Sequence, residues 1–400
     1  MTSSAFAVMS PQHHTGIGPC GFVATPPRHY NAPMNTDQLD YDLPPASIAA
    51  RPAEPRDHSR LLVYHQAADR VEHRHFYDLP EYLRPTDLLI VNDTRVIPAK
   101  LELQKITGGA IPGLFLAEES PGTWRVLLRS RGKIKPGDPL TPHAHGLPAM
   151  GQPLAYHFTV TARVPNEKGT WLLSVTPPHP APQILATIGH VPLPPYLEKM
   201  RDPDTAPDDA FDRAHYQTVY ARDGRSLAAP TAGLHFTPEL LATIAALGVR
   251  RAPVTLEVGL GTFLPVETPT LEAHPMHTES YAVPPETAAA IRTQRASVGA
   301  RIVVVGTTAV RTLEAAADAI LAPPAAPIAG QTQLLISPGY TFRLTDVLIT
   351  NFHLPRSTLL ALVAARMGAG GLDKLKSLYA IAVTQGYRFY SYGDAMLLLP

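Results

Sequence analysis

The sequence predicts an α/β protein: a discontinuous α/β main domain over 39–100 and 179–400, with a small β-barrel domain inserted over 101–178. Three observations carry that expectation. The apolar run D-L-L-I-V-N at Asp87 to Asn92 reads as a buried strand, and Arg301 to Val305 and Val347 to Phe352 repeat it, each with a helical pattern behind. Between Leu101 and Pro178 the pattern changes to short strands joined by Gly, Pro and Asn turns, with no helical period, as in a small barrel. The 43 prolines and 27 glycines favour turns and extended segments over a helical bundle.

Composition narrows the function classes. The 400 residues, 45% hydrophobic, suffice for two or three domains that each bury a core. Lys plus Arg equals Asp plus Glu at 34 each, so any RNA contact must be local. The single cysteine, Cys20, excludes structural disulfides, thiolate zinc sites and iron–sulfur clusters. No apolar run reaches membrane-spanning length and the first residues lack signal-peptide regions, so a cytoplasmic protein without a membrane partner is expected.

In chain order, residues 1–38 begin with a Ser-, Gly-, Pro- and His-rich stretch and are expected to form a disordered extension. His13 and His14 either bind a metal or, the reading adopted, belong to a solvated tail, so no metal is expected; Met34 is a candidate start. Asp40 to Ala50 docks ahead of a strand at Leu61 to Val63. Asn92, Asp93, Thr94 and Arg95, at the end of a buried strand, either line a site or form an Asx turn. Barrel strands are expected at 101–106, 111–118, 124–129, 157–164 and 171–175. Arg125, Arg129, Arg131, Lys133 and Lys135 make a basic stripe, either an RNA track or a blunted sheet edge. Pro192 to Tyr196 reads as a stiff connector and Asp202 to Asp212 as a surface loop.

Ser226 to Phe263 organises the remainder. Thr237 caps a helix, Pro238 suits its first position, Leu240, Leu241, Ile244 and Leu247 form its apolar stripe, and Gly248 ends it. A strand through Val254, Leu256 and Val258 follows. Two glycine loops flank this unit, one presenting Thr231, Gly233 and His235, the other Gly259, Gly261 and Thr262. The second lacks the third glycine and acidic partner of a dinucleotide fingerprint. Gly306-Thr307-Thr308 leads into a helix from Ala309 to Leu321, where Thr307, Thr308 and Arg311 either hold an anion or cap the helix. Ala322 to Pro327 is a linker, and Ser357 caps a later helix. Tyr387 to Asp394 is either a stacking surface for a flat base or a core strand.

Taken together, nine segments resemble the S-adenosylmethionine:tRNA ribosyltransferase-isomerase family. They are V-N-D-T-R-V-I-P-A from Val91, P-L-P-P-Y from Pro192, Y-Q-T-V-Y-A from Tyr216, A-A-P-T-A-G-L-H-F from Ala228 and G-L-G-T-F from Gly259. M-H-T-E from Met276, V-G-T-T-A-V-R-T-L-E from Val305, L-I-T-N-F-H-L-P-R-S-T-L-L from Leu348 and Y-R-F-Y-S-Y-G-D-A-M from Tyr387 complete them, in the family's order. Two departures stand out: T-Q-L-L-I-S-P-G from Thr332, where the family usually has T-D-I-F-I-x-P-G, and Thr278 where serine is usual.

The resemblance implies an α/β domain carrying a β-barrel and a reaction in which the ribosyl part of S-adenosylmethionine is transferred and isomerised. The acceptor is 7-aminomethyl-7-deazaguanine at the tRNA wobble position, and epoxyqueuosine forms as adenine and methionine leave. S-adenosylmethionine is consumed as a co-substrate, no cofactor is needed, and a monomer is expected. Such chemistry needs a base beside the sulfonium, an acid for adenine, a carboxylate grip and stacking surfaces. By residue type, His277 or Glu279 is the base, on a shared extended face with Tyr281, and His235 delivers a proton to adenine. Thr307, Thr308 and Arg311 grip the carboxylate; Asn351, His353, Tyr387, Phe389 and Asp394 line the nucleoside or base pocket. The competing readings are a non-catalytic tRNA-binding relative and a methyltransferase.

Overall fold

The computed structural model describes residues 33–130, 132–142, 156–200, 208–222, 224–259, 265–323 and 327–400. The expected extension up to residue 32, with His13, His14 and Cys20, the candidates Arg131, Gly261 and Thr262, and parts of the 202–212 and 322–327 segments lie outside the described residues.

The hairpin β1 (Arg60–His65) and β2 (Arg70–His75) precedes β3 (Leu88–Asn92). Next come β4 (Lys100–Lys105), β5 (Ala110–Ser120), β6 (Thr123–Leu128), β7 (Pro139–Pro142), β8 (His157–Arg163) and β9 (Thr170–Thr176). They pair antiparallel, and a β4–β7 contact closes the ring β4-β5-β6-β9-β8-β7 into a barrel. All five expected strands are present. The sequence misses β7 because its two prolines read as turn. Phe115, Trp124 and Phe158 fill the barrel in edge-on and tilted contacts.

Beyond Thr176, α1 (Ala181–Ile188) packs Ala181, Ile184, Leu185 and Ile188 into the barrel core, and β10 (Gly189–His190) pairs with β4. Each large aliphatic side chain so buried contributes about 1.5–3 kcal/mol. The barrel's core therefore runs past the expected end at residue 178. Where a stiff connector is expected, Pro195 opens α2 (Pro195–Met200), its missing N–H costing nothing in a first turn. Where a surface loop is expected, α3 (Asp209–His215) forms, because Asp208 accepts the Phe211 N–H at 2.8 Å and more acid lies in the first turn.

α4 (Pro238–Ala246) forms as expected, with Thr237 accepting the Leu240 N–H at 3.1 Å and Gly248 at φ 93° after it. β11 (Arg250–Leu256), β12 (Glu279–Val283), α5 (Pro285–Ala296) and β13 (Ile302–Val305) follow. The single helix expected from Ala309 begins earlier, as α6 (Thr307–Ala315), and breaks at Ala316 before α7 (Ala317–Leu321). The chain closes with β14 (Ile328–Thr332), β15 (Val347–Asn351), α8 (Thr358–Arg366), α9 (Gly371–Thr384) and β16 (Ala395–Leu399).

Among the described residues nine strands form one sheet, in the order β14-β12-β11-β3-β13-β15-β16-β1-β2. Helices α5 to α9 cover one face over Ile90, Val304 and Leu348; α4 covers the other over Val91, Val303 and Ile349. Burial on both faces explains the unbroken apolar runs. Strands β11, β3, β13 and β15 are mutually parallel, so their carboxyl ends share one edge. Open α/β sheets bind ligands at such an edge.

The expected limit of the extension at residue 38 is corrected. Thr36–Leu39 forms a 3-10 turn, Thr36 N–H donates to Pro269 O at 3.0 Å, and Thr36 and Leu39 are buried. No helix among the described residues is long and apolar enough to cross a membrane.

Candidate active site

Asn92, at the carboxyl end of β3, ties three elements together. Its Nδ2 donates to Leu256 O and Thr308 Oγ1, both at 3.2 Å, while its Oδ1 accepts the N–H groups of Leu256 and Thr94, both at 3.1 Å. The bond to Thr94 is the Asx turn; the others hold the end of β11 and the first turn of α6 beside it. Asp93 accepts from Thr255 Oγ1 at 2.8 Å and from Arg222 at 2.9 and 2.7 Å, and Arg95 donates to Arg222 O at 2.8 Å.

The Thr231–His235 turn lies over the start of α6, where a Cβ added to Gly306, at φ 85°, would sit 3.5 Å from Ala232 Cβ. His235 is buried between Ser59 Oγ, 2.8 Å from Nδ1, and Asn351 Nδ2, 3.1 Å from Nε2. Asn351 Nδ2 also donates to Tyr390 O at 3.2 Å, so it is the donor toward Nε2, and the imidazole proton sits on Nδ1, donated to Ser59. Burial, with Arg388 and Arg56 nearby, pushes the His235 pKa down to about 3. His235 is thus neutral at pH 7, suited to orienting groups rather than to releasing a stored proton.

Asn351 Oδ1 is a buried acceptor with no hydrogen-bond partner among the described residues, and Asn351 lines a void of about 40 Å³ with Tyr196, Thr231, His353 and Tyr390. His353 binds Thr350 Oγ1 through Nε2 at 2.8 Å and is likewise pushed by burial to about 3. Farther along the edge, Glu279, 4% exposed, forms a buried ion pair with Arg311 of α6. Arg311 Nε donates to Leu334 O at 3.1 Å, and its buried Nη2 has no hydrogen-bond partner among the described residues. Thr307 and Thr308 stand in the same first turn.

Several expectations are corrected. His277 does not share a face with Glu279: β12 begins at Glu279, and His277 lies before it, exposed. Tyr387, Phe389 and Asp394 do not front a base pocket. Phe389 is enclosed by Phe352, Tyr379 and Tyr41, Tyr387 is covered by the Arg60 guanidinium at 3.8 Å, and Asp394 accepts the N–H groups of Arg60 at 3.0 Å and Arg388 at 2.8 Å. Their apolar area and backbone-capping carboxylate serve the core, the blander of the two sequence readings. From that segment Tyr390 and Ser391 reach the void instead. No described residue comes within 4 Å of where a Cβ on Gly259 would stand.

Gly233 is required by close approach: a Cβ there would lie 2.1 Å from Tyr220 Oη and 2.8 Å from Thr218 Cγ2. Gly233→Ala is expected to cost about 1–3 kcal/mol by overpacking. It should also displace the adjacent Leu234-His235, lowering turnover more than stability. Thermal unfolding and activity measured on the same sample check this; an unchanged melting temperature would show that the turn can shift freely.

A second feature adjoins this edge. A cavity of about 530 Å³ opens between the main domain and the barrel, walled by Val96, Ile97 and Pro98 on one side and Phe115, Leu185 and Ala186 on the other. Arg95, Arg213, Arg222 and Arg225 also line it. Of the basic stripe, Arg125 is paired with Glu119 at 2.7 Å and Glu167 at 3.4 Å, while Arg129, Lys133 and Lys135 are exposed. Lys133 stands at the barrel's far end, since its O accepts from Lys105 Nζ at 2.6 Å and β4 runs outward to Lys105 from Lys100, about 17 Å from the junction at strand rise. Arg129 lies nearer the junction: its N–H donates to Pro112 O at 2.9 Å, and Pro112 pairs with Glu102 of β4.

A family model described as "Queuosine biosynthesis protein" matches residues 36–398. The chain belongs to that family. Relatives named S-adenosylmethionine:tRNA ribosyltransferase-isomerase include one from Synechococcus elongatus, 47% identical over 91% of this chain and 96% of its own length. Another, from Moorella thermoacetica, is 45% identical over 92% of this chain and 100% of its own. A crystal structure of S-adenosylmethionine tRNA ribosyltransferase from Thermotoga maritima is 36% identical, covering 90% of this chain and all of that one with a TM-score of 0.49. The family member described here is therefore a transferase-isomerase of queuosine biosynthesis, a tRNA modification. Its two departures from the usual pattern touch: Gln333 Nε2 donates to Thr278 Oγ1 at 2.8 Å on the surface. The side chain at position 333 is exposed, and Arg311 is served by the backbone carbonyl of Leu334, so the substitution leaves that contact in place.

Ser59, Tyr196, Arg222 and Arg225 escape the sequence reading. Arg222 and Arg225 directly follow the Y-Q-T-V-Y-A segment, a usable signal, whereas Ser59 reaches His235 across 176 residues and leaves none.

Proposed function

We propose that this protein transfers and isomerises the ribosyl moiety of S-adenosylmethionine onto 7-aminomethyl-7-deazaguanine at the wobble position of a tRNA, releasing adenine and methionine. The observation that carries this reading is two buried groups on one sheet edge that no described residue meets: a donor, Arg311 Nη2, and an acceptor, Asn351 Oδ1. A buried polar atom left unpaired costs about 1–3 kcal/mol, which a ligand with a carboxylate at one end and an adenine amine at the other would recover.

In this reading the methionine carboxylate takes Arg311, with Thr307 and Thr308 beside it. Glu279, released from that ion pair, becomes the base for the proton on the carbon next to the sulfonium, whose positive charge favours a carboxylate neighbour. His235 and His353, both neutral, orient the nucleoside together with Asn351, in a site that opens beyond its present void when substrate enters. The exposed Arg129, Lys133 and Lys135 then extend the RNA contact along the barrel. S-adenosylmethionine is consumed, and no other cofactor takes part.

Incubation with S-adenosylmethionine and tRNA carrying the aminomethyl-deazaguanine is expected to release adenine and methionine together. S-adenosylhomocysteine as the product would instead make the protein a methyltransferase, and tRNA binding without any product a non-catalytic relative.

A further inference from the structure

The junction cavity has no role in the reaction as described above, and its chemistry selects a ligand. Resting on the tRNA reading, we propose that it receives one nucleotide of the RNA, extruded from its stack, with the base on Ile97 and Pro98 and the phosphate on Arg225 and Arg222.

Size fits first: about 530 Å³ lies within the range of small-ligand sites, about 300–1,000 Å³. Charge then decides between the two substrates. Among the described residues four arginines line the cavity with one carboxylate, Glu118, which accepts from the N–H groups of Ala181 at 3.3 Å and Gly122 at 3.4 Å. S-adenosylmethionine carries a sulfonium and an ammonium against a single carboxylate, so this wall repels it. Each RNA phosphate is anionic, and the same wall attracts it.

The arginines are not equally committed. Arg213 is bound to Asp209 and Gly189 O, and Arg95 to Arg222 O. Arg222 meets Asp93 but leaves 61% of its side chain exposed. Arg225 is exposed and has no hydrogen bond or ion pair to another described residue. The loop that carries Arg222 and Arg225 is pressed onto the sheet-edge turn: a Cβ on Gly224 would lie 2.5 Å from Thr94 Oγ1 and 3.1 Å from Arg95 N. A nucleotide held here would lie beside the turn that follows Asn92, whose side chain binds Thr308, so its neighbour in the chain can enter the reaction site.

The test uses the full-length protein, a tRNA transcript and, separately, S-adenosylmethionine. Arg225→Ala removes the cation that no described residue pairs. It is expected to weaken tRNA binding about tenfold at low salt and to reduce the slope of log K against log salt by about one. Ala186→Trp, at an exposed α1 position on the cavity wall, should block the cavity and weaken tRNA binding about tenfold or more, the loss expected when a base-stacking contact is removed. Unchanged melting temperatures establish that both variants are folded, and S-adenosylmethionine affinity should match the parent in both. Parent-like tRNA binding and salt slope in both variants would overturn the assignment while leaving the proposed reaction standing. Loss of S-adenosylmethionine affinity in Ala186→Trp with tRNA binding intact would overturn it too, giving the cavity to the co-substrate. A parent protein that binds no tRNA would sink the functional reading and this assignment together.

Discussion

Glu279→Gln is expected to stop adenine release and to lower folding stability by about 3–5 kcal/mol, the usual cost of leaving one member of a buried ion pair without its partner. The two losses have different origins. The first follows if Glu279 is the base; the second follows from Arg311, 6% exposed, losing its counter-charge. The double variant Glu279→Leu, Arg311→Met separates them, because replacing both members of a buried pair with apolar groups of similar volume restores most of the stability. Urea unfolding and adenine release measured on parent, single and double variants make the comparison. A folded Glu279→Gln protein that turns over at near the parental rate would remove Glu279 from the chemistry.

Acidification is expected to be nearly as damaging. His235 and His353 are both held near a pKa of about 3 by burial, against about 6.5 in an unfolded chain. Below about pH 6.5 the unfolded state binds protons that the folded state refuses, so stability is full above that value and is lost as pH falls toward 3. The slope is up to about 1.4 kcal/mol per pH unit for each histidine, and the two together remove roughly 5 kcal/mol by about pH 4.5. Urea midpoints at about pH 7.5 and about pH 4.5 measure it. A His235→Gln, His353→Gln variant should show a markedly flatter dependence; the parental slope in that variant would assign the acid sensitivity to other groups. Activity should show no ionisation of either histidine between about pH 5 and 8, since neither titrates there.

Much of the framework is local information. Apolar runs such as Leu88–Asn92 and Ile302–Val305 become strands buried on both faces, and Thr237, Gly248 and Ser357 act at helix ends as their chemistry dictates. Where a short element carries a weak or mixed signal, the reading fails. β7 is hidden by its prolines, α3 by its acids, and α1 by its proline flank despite apolar positions at i, i+3, i+4 and i+7.

The sequence by itself determined which segments are strands, which are capped helices and which polar loops interrupt them, because propensity, capping and apolar period act within a few residues. Only the tertiary structure decided what the polar residues do. Asn92 became a splice between strands, Glu279 the partner of Arg311, Phe389 core, and Arg222 and Arg225 the lining of a cavity. These outcomes depend on contacts between residues far apart in sequence, and a side chain's charge state and partners follow from the neighbours that folding brings to it.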